Sequence, residues 1–220
     1  MSTPNVEIYQ GKVKQYFRSV RPEMQQFIPA KVSELLEVGC GDGGFAAEIK
    51  RRTGARVTAI ELFESAAAAA AEQLDEVLQT SAEEGVKRLA VRQFDCIVMN
   101  DVLEHLVDPW SVLRDVRMVL APGGVLVASI PNMRYLPVFK KFVVRAEWKY
   151  ADQGVMDRTH LRFFTHNTMR ELFVSSGFQV RTLQGINPTE GGWKFNLLNR
   201  LAKNGMDDMR YLQFAIVATR

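Results

Sequence analysis

Between Leu35 and Gly44 an apolar run, Leu35-Leu36-Glu37-Val38, leads into a turn with glycine at 39, 41, 43 and 44. An apolar strand ending in such a turn and followed by a helical pattern is the opening of a nucleotide-type site, where missing side chains let the backbone approach a ligand. Glu61 closes the next apolar run about twenty residues on, where folds of this kind hold a ribose. A chain built around this unit is confined to the α/β class, with parallel strands covered by their own helices.

The rest of the sequence has to supply those neighbours, and from residue 33 to 130 short apolar runs do alternate with helical patterns. Leu35 to Val38, Arg56 to Ile60, Glu76 to Gln79, Cys96 to Met99 and Val125 to Ile130 read as strands. Asp108 as an N-cap with Pro109 at the first helical position opens a helix that carries Val112, Leu113, Val116, Val119 and Leu120 on one face, and Ala121-Pro122-Gly123-Gly124 stops it. The alanine tract 66–71 reads as a helix able to pack closely on a sheet. Asn167 to Ser176 is predicted helical up to Gly177, and Phe178 to Leu183 and Leu212 to Thr219 complete a set of seven strands. At 220 residues this is one domain, able to bury about 70% of its unfolded surface. Three parts fall outside the alternation: a helical segment over 1–32 placed to cover the ligand, an insertion or lid at 131–165, and a second substrate-side excursion at 186–210.

Glycines at 39, 41 and 44 also satisfy G-x-G-x-x-G, so spacing alone leaves a nicotinamide dinucleotide open. Charge separates the readings. A diphosphate wants bare amides and positive potential, but this loop carries Glu37 and Asp42 and has no Lys or Arg from Leu35 to Ala47. S-adenosylmethionine, with an ammonium and a sulfonium and no phosphate, is complementary to it.

Three motifs occur in order: Glu37-Val38-Gly39-Cys40-Gly41-Asp42-Gly43, Phe94 through Pro109 including Asn100-Asp101-Val102-Leu103-Glu104-His105, and Leu120-Ala121-Pro122-Gly123-Gly124-Val125-Leu126. Together they resemble the class I S-adenosylmethionine-dependent methyltransferases over essentially the whole chain. The resemblance implies a doubly wound, mostly parallel seven-stranded sheet with helices on both faces and one antiparallel strand near the C-terminus. It implies S-adenosylmethionine as cofactor and S-adenosylhomocysteine as product. It places Gly39, Gly41 and Gly43 at the methionine moiety, Glu61 at the ribose and Asn100 beside the amino acid end, with Glu37, Cys40, Leu62 and Asp101 as further cofactor-binding residues. Where the family often has an acidic residue for adenine, this chain has Thr80-Ser81-Ala82, which puts Ser81 or the Ala82 backbone there. Tyr16 and Arg21 are candidates to close over the cofactor.

Methyl transfer needs alignment in a dry pocket more than acid–base machinery, although a hydroxyl acceptor is helped by a base. Of three histidines, His160 is preferred, with Asp157 orienting it; His105 follows the cofactor strand, and His166 reads as a helix-start residue. The stretch from Gly154 to Thr165, with Trp148 and Tyr150, resembles bacterial enzymes associated with sugar or surface-polysaccharide pathways. In the insertion Leu136, Phe139, Phe142 and Val143 form an apolar face, while Lys141, Arg145 and Lys149 form a basic strip suited to an anionic acceptor.

Net charge of +3 is too small to make nucleic acid a leading partner, and the apolar residues nowhere run long enough to span a bilayer. A cytoplasmic protein acting on a small molecule follows, and a homo-oligomer is allowed. Cys40 and Cys96 sit in apolar sequence as buried hydrophobes, so no metal site is expected. A noncatalytic S-adenosylmethionine-binding protein is the alternative to an enzyme, ahead of a nicotinamide oxidoreductase.

Overall fold

The computed structural model describes residues 20–220. The N-terminal segment before residue 20, with Tyr16, lies outside the described residues.

One sheet has the order β3-β2-β1-β4-β5-β7-β6, with β1 Glu34–Val38, β2 Arg56–Glu61, β3 Glu76–Gln79, β4 Phe94–Asn100, β5 Leu120–Pro131, β6 Gln179–Pro188 and β7 Tyr211–Thr219. Every pairing is parallel except those of β7, which lies antiparallel between β5 and β6. The strand order reverses at β1 and β4, so the carboxyl ends of those two strands open a crevice.

Period-2 alternation sends successive side chains to opposite faces, and both faces are dry. Leu36, Val38, Ile97, Met99, Leu126 and Ala128 pack against α4 (Ala82–Arg88), α5 (Pro109–Val119) and α7 (His166–Ser175) through residues such as Val86, Val112, Leu113 and Phe173. Leu35, Val57, Ala59, Cys96, Val98 and Val127 pack against Phe45, Ala46 and Ile49 of α2 (Gly44–Thr53) and Ala70 of α3 (Glu64–Ala71). Met24 of α1 (Pro22–Gln25) joins that second layer. Fully burying one such aliphatic side chain stabilises the fold by about 1.5–3 kcal/mol. Both cysteines are buried, and burial pushes the Cys96 thiol up to about 12.

The expected start of α5 is present: Asp108 Oδ1 accepts from Ser111 N at 3.0 Å, with Pro109 at the first position. Its end differs. β5 already begins at Leu120, paired with Phe94, and the Pro122-Gly123-Gly124 stretch is a bulge inside the strand before pairing resumes between Val125 and Cys96. β6 likewise runs on to Pro188, so the second excursion is shorter than expected and holds α8 (Gly192–Leu201).

The insertion contains α6 (Leu136–Arg145), none of whose residues is buried. Its apolar face, Phe142 and Val143 included, is exposed; periodicity reports which side of a helix is apolar and not what covers it. Lys149 lies beyond the helix end, which reduces the basic strip on α6 to Lys141 and Arg145. Among the described residues no helix is long and apolar enough to cross a membrane.

Candidate active site

At the carboxyl end of β1 the chain turns through Gly39, Gly41 and Gly43 with φ of 73, 58 and 84°. The backbone comes very close to the next loop here: a Cβ on Gly39 would stand 2.6 Å from Val102 Cγ2. Glu61 braces the turn, its Oε2 accepting from Gly41 N at 2.8 Å and its Oε1 from Phe63 N at 2.9 Å. Burial raises the Glu61 pKa although these amides oppose it. Leu62 and the half of the loop at Cys40 flank this acid, and the Cys40 thiol is directed to the Gly41 carbonyl. β3 pairs with β2 up to Gln79 opposite Glu61, which brings Ser81 and Ala82 to the same edge. Ser81 Oγ accepts from Glu84 N at 3.3 Å as the N-cap of α4.

Three buried polar atoms in the crevice lack partners: Glu37 Oε2 and both side-chain atoms of Asn100. Glu37 is pushed up to about 8, first by burial and then by Glu61 and Asp42, while the Ala46 amide and Arg21 oppose the rise. An acceptor and an amide held dry and unpaired await a polar ligand, and an amino acid's ammonium and carboxylate suit them.

Arg21 and Asp101 meet at the rim. Both have left-handed backbones, φ 40 and 54°. The Arg21 guanidinium bonds Asp101 Oδ2, Glu23 Oε1 at 2.6 Å, Ser129 Oγ at 3.3 Å and Gln213 Oε1 at 3.2 Å. Burial works against its charge, yet Asp101 and Glu23 raise its pKa overall. Asp101 Oδ1 also accepts from Ser129 Oγ and Gln213 Nε2, each at 2.8 Å.

Beyond Asp101 a cavity of about 90 Å³ is bounded by Glu104 and His105 on one side and by Val155, Asp157 and His160 of the insertion on the other. Leu161 N and Arg162 N donate to the Glu104 carbonyl at 2.9 and 3.0 Å, which fastens the insertion there. The two imidazoles pack edge to face, centroids 4.8 Å apart. His105 Nδ1 is 3.1 Å from Thr159 O and His160 Nδ1 is 3.0 Å from Val155 O. A carbonyl only accepts, so each Nδ1 carries the proton. Asp157 Oδ1 takes Thr159 N at 2.9 Å and Thr159 Oγ1 at 2.7 Å, and its carbonyl takes His160 N at 3.0 Å, so it shapes the turn that presents the ring.

Glu104 was not singled out in the sequence. Its carboxyl is 1% exposed, has no hydrogen-bond partner and sits 3.9 Å from His160 Nε2. Burial and then Asp101 hold its pKa well above the carboxylate range. The available signal was its place next to His105 between Leu103 and Leu106, an acid in an otherwise apolar turn. His166 lies apart from the cavity, with its Nδ1 3.1 Å from Asn167 Oδ1 and its ring against Phe214.

A family model described as a methyltransferase domain matches residues 9–183. The chain belongs to this methyltransferase family. It is 32% identical to a ubiquinone biosynthesis O-methyltransferase of Aeromonas salmonicida, over 70% of this chain and 66% of the relative. It is also 32% identical to the Psychrobacter arcticus protein of the same name, over 70% of this chain and 62% of the relative. The chain thus spans slightly less than two thirds of these relatives' length. Its fold is that of a SAM-dependent methyltransferase from Archaeoglobus fulgidus, with a TM-score of 0.70, 18% identity and 97% of each chain covered. A second from Mesorhizobium loti gives a TM-score of 0.62 at 18% identity, covering 92% of this chain and 98% of that one.

The methyltransferase uses S-adenosylmethionine, and the nicotinamide reading left open by the glycine spacing is set aside. The crevice fits that cofactor: Glu37 and Asn100 offer unpaired polar atoms, and the glycine turn leaves room for backbone contact. The structure places Glu37, Gly39, Gly41, Gly43, Glu61, Asn100 and Asp101 at or just past the carboxyl ends of β1, β2 and β4, with Arg21 bonded to Asp101, and it joins His105, Asp157 and His160 in the adjoining cavity.

Proposed function

We propose that this methyltransferase methylates a hydroxyl of a small molecule that enters the cavity between Asp101 and the insertion. The observation that carries the reading is the buried, unpartnered Glu104 carboxyl beside His105 and His160, next to the cofactor crevice.

Glu37 takes the cofactor's ammonium and Asn100 its amino acid backbone, while Arg21 exchanges part of its hold on Asp101 for the carboxylate. Glu61 keeps lone pairs for the ribose beside its two amide bonds. Adenine lies at the Ser81–Ala82 turn, and Gly39, Gly41 and Gly43 give close backbone approach. Bound there, the cofactor supplies a methyl carbon activated by the sulfonium, so that transfer is an in-line displacement returning the C–S electron pair to sulfur. The chain's task is to align the acceptor oxygen and exclude water. The hydroxyl proton is given up at the Glu104–His105–His160 cluster, where His160 Nε2 is the basic nitrogen because Nδ1–H is bonded to Val155 O.

Relatives named O-methyltransferases support oxygen as the methylated atom; as they are named for ubiquinone biosynthesis, the sugar or lipid-linked acceptor expected from the insertion gains nothing from them. Asp101, Glu104 and Asp157 line the cavity and no Lys or Arg is among the described residues that do, so nothing there pairs with an anionic portion of the acceptor. The test is methyl transfer from labelled cofactor to a panel of hydroxylated small molecules. His160→Ala should slow transfer about 100-fold or more, and Asp157→Asn, which keeps the accepting oxygen, should slow it less. Transfer by His160→Ala at the wild-type rate would overturn the role given to this histidine.

A further inference from the structure

We infer that Glu104, His105 and His160 form a binding site for a divalent transition-metal ion facing the acceptor cavity. The inference rests on the function proposed above and deepens it, since an ion held there becomes the group to which the acceptor's oxygen binds.

Four observations converge. One ligand atom from each of the three residues lies within 4.8 Å of the others, and the His160 Nε2 to Glu104 Oε1 separation is 3.9 Å. Tetrahedral ligands about 2.0–2.1 Å from an ion stand about 3.3 Å apart, so closing the set needs side-chain movements of about 1 Å. Both Glu104 oxygens are buried and unpartnered while lining the cavity, which leaves lone pairs for a cation. Both imidazoles give their Nδ1 proton to a backbone carbonyl, Thr159 O and Val155 O, and this is the arrangement that orients metal-ligating histidines and fixes Nε2 as the ligand.

The fourth observation is charge. Asp101, Glu104 and Asp157 all border the cavity, no Lys or Arg is among the described residues that line it, and the Arg21 guanidinium at its rim is held by Asp101 and Glu23. Gathering acids in a dry place is costly unless a cation joins them. Two imidazoles and one carboxylate select a borderline ion such as Zn²⁺, Co²⁺, Mn²⁺ or Fe²⁺ over Mg²⁺ or Ca²⁺, which prefer oxygen ligands throughout. Three protein ligands leave coordination positions open for a hydroxyl, and binding to an ion lowers a hydroxyl's pKa. With the ion bound, His160 Nε2 is a ligand rather than the base: the acceptor's O–H proton, made more acidic by the ion, passes to solvent, and its oxygen takes the methyl group.

The sequence hides the site because its members come from a short 3₁₀ turn, Leu103–His105, and from an insertion more than fifty residues later.

The test is titration of the chelator-stripped, full-length protein with Co²⁺, read by visible ligand-field absorption and by elemental analysis after gel filtration. One Co²⁺ per chain is expected, displaced by Zn²⁺. Affinity should fall tenfold or more in Glu104→Gln and in His160→Ala, each checked for folding by circular dichroism, and should be unchanged in His166→Ala. Wild-type protein that binds no Co²⁺ and no Zn²⁺ overturns the site, as does binding that survives both ligand substitutions. If methyl transfer persists in chelator while no ion binds, the ion is wrong and the hydroxyl transfer stands. If Co²⁺ binds but no hydroxylated acceptor is methylated, the ion stands and the proposed acceptor falls.

Discussion

Arg21 and Asp101, eighty positions apart in the chain, are joined by a hydrogen-bonded ion pair at the rim of the cofactor crevice. The pair ties the segment before β1 to the loop after β4, and it places a guanidinium where an amino acid carboxylate would arrive. We predict that Arg21→Ala weakens S-adenosylmethionine binding by 1.5–3 kcal/mol, roughly 10- to 150-fold in Kd, the usual worth of a hydrogen bond to a charged group. Arg21→Lys should fall between, since an ammonium lacks the planar fork. Calorimetry decides it, and an unchanged Kd removes Arg21 from the site.

Glu37 is held protonated to about pH 8 in the free protein, mainly by burial, with Glu61, Asp42 and Arg21 as the neighbouring charges. Pairing with an ammonium requires the carboxylate. Binding at neutral pH should therefore release a proton, and apparent affinity should rise about tenfold per pH unit up to roughly 8 and then level off. Titrations in buffers of different ionisation heat measure the proton directly, and Glu37→Gln should abolish its release.

The same shift sets a stability trend in the free protein. Above its ordinary value of 4.5, Glu37 ionises in the unfolded chain but stays protonated in the folded one until about 8. The folded state then binds the extra proton, so this group's contribution to stability falls as pH rises through that window. Melting temperatures of Glu37→Gln should depend less on pH between 5 and 8 than those of the wild type.

Gly39 combines a positive φ with a near contact to Val102. Gly39→Ala is expected to cost about 1–3 kcal/mol of stability from backbone strain, with cofactor binding lost or severely weakened. Adding Val102→Ala should relieve the clash and restore only part of the stability. Full recovery in the double variant would show that φ is not the constraint.

Ser81 caps α4, and losing that bond in Ser81→Ala should cost about 1 kcal/mol. The loss is expected to be equal with and without S-adenosylmethionine, leaving adenine to the Ala82 backbone. A larger loss in the bound protein, seen as a smaller cofactor-induced rise in melting temperature, would give the Ser81 hydroxyl a place at the adenine.

By itself the sequence determined the class of the sheet, its glycine turn and the acids around it, because these are local. Glu37 and Glu61 lie on consecutive strands whose order follows from the βαβ pattern, Gly39 stands in the turn just past the first of them, and central strands covered on both faces announce themselves as largely apolar runs. Tertiary structure alone decided the rest. Where Pro122-Gly123-Gly124 bulges within β5, and where β6 ends, depends on pairing with neighbouring strands, which no local propensity encodes. The amphipathic pattern of α6 was visible, but its exposure was not, since burial belongs to the partner as much as to the helix. Glu104 became a candidate only when the insertion folded back and set His160 beside it, for a carboxyl acquires its chemistry from the groups and the dryness around it rather than from its position in the chain.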